Sequence, residues 1–166
     1  SPGREALLLY LVVKFLHVVG ACVLLGTGAG IAFFMVAAHR TGDVATIAGV
    51  ARIVVIADFL FTATAVVVQP LTGLGLVHML GLSPGDGWIA LALLLYLVTG
   101  AFWLPVVVMQ MKMRDLAAAA LRTGQALPPL YHRLFAWWFA FGFPAFAAVM
   151  AIVALMIARP AIPGWD

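Results

Sequence analysis

Four uninterrupted apolar runs dominate the chain, at about residues 6–38, 53–80, 88–111 and 134–158. A helix needs about 20 apolar residues to cross a hydrocarbon core of roughly 30 Å, and each run is long enough. A closed barrel is the other structure that satisfies every backbone group in lipid, but its short strands alternate apolar and polar residues, which these runs do not. The expected fold is an all-α membrane protein: one domain over residues 1–166, built as an antiparallel four-helix transmembrane bundle.

Only 9% of the residues are charged, and the net charge is +3. The nine Lys and Arg stand mostly at the ends of the runs, so they read as topology signals and not as a nucleic-acid footprint. Arg40 and Arg52 flank the first connection; Lys112, Arg114, Arg122 and Arg133 flank the third. The second, Gly81 to Gly87, has Asp86 and no Lys or Arg. The positive-inside rule then puts both termini outside, as expected of a multi-pass protein of the bacterial inner membrane. The first run is too long for a signal-peptide core and no A-x-A site follows it, so it is expected to be a retained helix. A lone Cys22 excludes an intrachain disulfide.

Gly42 and Asp43 punctuate the first turn, after which "VATIAGVARI" is expected to enter the second span at a slant along the inner surface. "GLSPGDG" is a tight turn, and Pro128-Pro129 stop a helical extension of the third span. Gly20, Gly26, Gly28 and Gly30 would let another helix or a flat ligand approach the first span closely.

A rise of about 1.5 Å per residue assigns depths to the polar residues inside the runs. Lys14 falls roughly 12 Å and His17 roughly 16 Å from the outer face. Gln69, Tyr96, Thr99 and Met150 fall in the same layer, and Pro70 frees a backbone carbonyl one turn before it. His78 lies roughly 13 Å above His17, so the two are not expected to hold one metal. A second group, Asp58, Gln110, Lys112, His132 and Arg133, lies toward the inner face. A carboxylate at that depth is costly alone, and Asp58 is expected to pair with Lys112, Arg114 or Arg133.

Beside a different metal and a proton relay, His17 admits two main readings. One is a neutral imidazole bonded to Gln69 or Thr99 as helix-to-helix glue. The other is an axial ligand of haem b, with Gly20 and Ala21 leaving room on the same face, Lys14 pairing a propionate and Met150 a candidate second ligand. The haem reading makes the chain a membrane redox protein that exchanges electrons with quinone or a redox partner, or oxidises a small substrate; a homodimer is permitted. The rivals are a copper- or solute-handling protein using the metal donors His78, Met79 and Met156, and a cofactor-free accessory subunit. Trp103, Trp137 and Trp138 read as core and interface aromatics, and His39 and His132 as solvated interface residues. No G-x-S-x-G, Walker or H-E-x-x-H signature occurs.

"LLLYLVVKFLHVVGACVLLGTGAGIAFFM", "ADFLFTATAVVVQPLTG", "GAFWLPVVVMQMKMRDLA" and "FGFPAFAAVMAIVALMIARP" together resemble a family of four-span bacterial integral membrane proteins over nearly the whole chain. The K-x-x-H opening at Lys14 and His17 is more distantly similar to HemJ-type protoporphyrinogen oxidases and CopD-like copper-resistance membrane proteins. The HemJ-type resemblance implies haem b on His17, with Lys14 as its companion.

Overall fold

The computed structural model describes residues 2–164, which hold four apolar helical spans and, among the described residues, no strand. Span 1 is α1 (Pro2–Thr41). Span 2 runs without a break through α2 (Val44–Ala57), a π-helical turn (Asp58–Thr62) and α3 (Ala63–Met79). Spans 3 and 4 are α4 (Gly87–Thr123) and α5 (Pro129–Ala158).

Local signals set the ends. Gly42 takes the left-handed conformation at φ 67° between α1 and α2, and the Asp43 carboxylate caps α2 by accepting from Thr46 N–H at 2.8 Å. Gly124, at φ 65°, closes α4, and Pro129 opens α5 where its missing N–H costs nothing. The 44–53 segment does not slant along a surface. It is the first part of span 2, because its apolar face, Ile47, Ala48 and Ala51, is buried in the core.

The helices outrun the apolar runs. The 40 residues of α1 span about 60 Å, roughly twice a hydrocarbon core. The surplus is used at the end that carries the first and third connections. There Met35 and Ala38 of α1, Ala51 and Val54 of α2, Met113 and Ala117 of α4, and Tyr131 and Trp138 of α5 form one core. Alanines at the contact let the backbones approach closely. Toward the opposite end the bundle divides into two pairs, α1 with α3 and α4 with α5, the second burying Ile89, Ala92 and Ala148. Residues 3–19 of α1 include no buried residue, and this half of the helix meets α3 through Val13 with Gly75, His17 with Gly73 and Gly20 with Gln69. Partner numbers fall on α3 as they rise on α1.

Candidate functional site

His17 sits half-buried on the α1–α3 seam. Its Nδ1 lies 2.9 Å from the Thr72 hydroxyl, which itself points at Val68 O, 2.8 Å away and one turn back on α3. A hydroxyl has a single hydrogen. If that hydrogen stays on Val68 O, Thr72 accepts from Nδ1–H and Nε2 keeps its lone pair; if the hydroxyl turns to donate to Nδ1, Nε2 carries the proton. The ring rests on Gly73, where a Cβ would stand 3.1 Å from His17 Cε1. Gln69 binds the same turn of α1, its amide donating to His17 O at 2.8 Å. That amide occupies the space beside Gly20 which the sequence reading left for a flat ligand.

The other residues of the expected layer go separate ways. Tyr96 donates to Val66 O, the carbonyl that Pro70, four residues on, leaves without a helical donor. Thr99 bonds back to Leu95 O on its own helix at 2.8 Å. Met150 is 48% exposed on α5, and the Lys14 ammonium lies 5.6 Å from the Tyr10 ring centroid. His78, Met79 and Met156 are exposed, and no group of three His, Cys, Asp or Glu that could hold a metal occurs among the described residues. Two shallow surface grooves lie elsewhere, one along Ala32, Phe33 and Val36, the other along Val19, Cys22, Gly26 and Phe61.

A second polar site lies at the π-turn. Asp58 is 4% exposed, yet it does not pair with Lys112, Arg114 or Arg133 as expected; the only ion pair among the described residues is the exposed Arg114–Asp115 at 2.8 Å. Its carboxyl instead receives Trp103 Nε1 and Gln110 Nε2, each at 3.4 Å. Trp138 orients Gln110 by donating to its Oε1 at 3.0 Å; an indole N–H only donates, so the amide NH2 must turn toward Asp58. Neutral dipoles have replaced the expected cation: Lys112, two residues past the buried Gln110, is exposed on another face of α4, and Arg133 is exposed near the start of α5.

His39 departs from the solvated reading too. It is half-buried and stacks on Phe135 with ring centroids 3.7 Å apart, beside Tyr131, whose buried hydroxyl has no partner. Thr72, Gly73, Trp103 and Trp138 are the contributors that sequence reasoning missed or read as packing. Only Thr72 carried a signal, three residues after Gln69 on the same face of span 2.

Neither a curated protein nor a solved structure matches the chain at significant similarity. The sequence profile of a family described as predicted integral membrane protein (DUF2269) matches residues 11–160, which take in most of the first apolar helix and all of the other three, and the chain belongs to that family of multi-pass membrane proteins.

Proposed function

We propose that the protein is a haem b-binding membrane redox protein, with His17 Nε2 as an axial ligand of the iron and both termini outside the bacterial inner membrane. The Thr72 contact is the observation that supports this reading. A ligating histidine characteristically has its other ring nitrogen held by a hydrogen bond that fixes tautomer and orientation, and Thr72 does this for Nδ1. Gly73 keeps the ring flush against α3, and Gln69 pins the backbone of the turn that carries it. Lys14, one turn along the same face, is placed to meet an anionic group such as a propionate. Bound there, haem would supply reversible one-electron transfer; the chain supplies the ligand, the apolar surroundings and access from the membrane. The half-buried ring opens away from α3, so a second copy of the chain, or a redox partner, would cover the remaining face.

An absorption spectrum after haem loading tests the proposal. The expected result is a Soret band that is lost in His17→Ala and retained in Thr72→Val with haem affinity lower by roughly 10- to 100-fold. A protein that stays colourless after loading, or whose band survives His17→Ala, overturns it.

A further inference from the structure

Asp58 stands nearly alone as an ionisable group in the middle of the bundle. Span 2 has no other titratable side chain between Arg52 and His78, α4 has none between Tyr96 and Lys112, and α5 has none between Arg133 and its end. Between His17 and His39, α1 has only the exposed thiol of Cys22. The groups that face the Asp58 carboxyl are therefore neutral: Trp103 and Gln110 from α4, and Thr62 from its own span. Intramembrane carboxyls are costly, and where they persist they mark ion pathways or proton relays. This one begins a π-turn, a helix irregularity that often accompanies a functional site.

The donors around it distinguish the two ligand classes. A metal cation needs several oxygen ligands. Here Trp103 and Gln110 both present N–H groups to the carboxyl, which suits a carboxyl oxygen and repels a cation. A proton needs one acceptor, and Thr62 can supply it. Its hydroxyl is 6% exposed, faces the carboxyl and lacks a partner in hydrogen-bond geometry. Hydroxyls rotate, so Thr62 can donate to the ionised carboxylate or accept from the protonated acid without moving its helix.

We propose that Asp58, with Thr62 as its switchable partner, is a reversible proton-binding site at the centre of the bundle. On acidification a hydronium ion gives up one proton, leaving water, and that proton forms an O–H bond on a carboxylate oxygen; on release the O–H bond breaks and water takes the proton back, with no other atom or electron exchanged. The site uses neither His17 nor a bound group, so it stands or falls apart from the haem reading.

Infrared difference spectroscopy of the full chain in phosphatidylcholine liposomes tests it, across a pH range of about 4 to 9. The expected result is a protonated-carboxyl C=O band that grows on acidification, shifts on deuteration and is missing in Asp58→Asn. Thr62→Val should retain the band at a changed frequency, because the acid loses its acceptor. The proposal is overturned by a band that persists in Asp58→Asn, by one that does not change with pH, or by a wild-type spectrum identical to that of Thr62→Val.

Discussion

Gln110 joins three spans, and replacing it offers a quantitative test of the packing. The side chain is 1% exposed, accepts from Trp138 at 3.0 Å, and reaches Asp58 and Val54 O at 3.4 and 3.5 Å. The last two are beyond the ordinary N–H···O range and contribute little, so the Trp138 bond dominates. Gln110→Met keeps much of the volume but leaves the Trp138 N–H unpaired in the core, a loss of about 1–3 kcal/mol. Trp138→Phe leaves the Gln110 oxygen unpaired and also opens a cavity, so it should cost more. The double variant removes both partners, and its destabilisation should fall below the sum of the singles by about 1 kcal/mol. That sits inside the range for interhelical bonds in a membrane bundle, which average about 0.6 and reach about 1.7 kcal/mol. Unfolding by SDS in mixed micelles can be followed by tryptophan emission, which Trp88, Trp103 and Trp137 still supply in every variant. Additivity within about 0.3 kcal/mol would refute the bond as the source of the coupling.

Tyr131→Phe should be neutral or raise stability by about 1 kcal/mol in the same assay, since it removes a buried hydroxyl that has no partner; a clear loss would reveal a bond the geometry does not contain. The Asp43 carboxyl is held below the usual carboxylate range by hydrogen bonds from the Thr46 side chain and backbone. A depressed folded value means that its contribution is present above the ordinary aspartate range and is lost as pH falls through it. The first turn of α2 should therefore lose amide protection, measured against the intrinsic exchange rate at each pH, below about pH 4, and Asp43→Ala should abolish that dependence.

The membrane spans were legible because hydropathy over 20 residues is a strong signal, and the run ends at 80, 88 and 158 fall within one residue of the ends of α3, α4 and α5. The continuation of α4 past the third run was legible too, but it stops at Gly124, before Pro128-Pro129, with Met113, Ala117 and Ala120 burying an apolar face on the way. Pro70 announced a freed carbonyl, but only the fold could identify Tyr96 as its donor. Asp58 was visible as an anomaly, and charge complementarity pointed to the wrong partners: a shared height does not say which face of the helix a side chain occupies, and Lys112 is exposed whereas Trp103 and Gln110, which read as an interface aromatic and a generic polar residue, flank the carboxyl. The Thr72 contact was hidden because a helical threonine commonly bonds its own backbone, as this one also does.

The bundle is knotted at one end and divided at the other into an α1–α3 jaw and a packed α4–α5 jaw, like a clothes peg, and thermal agitation will not be shared evenly between the two ends. Stiffness is concentrated around Met35, Ala51 and Met113, while the tips of α1 and α3 rely on a narrow strip of contacts that can yield without disturbing that knot. Acyl chains pressing between the tips would meet little resistance, so bilayer thickness and lateral pressure should set how far the jaws stand apart.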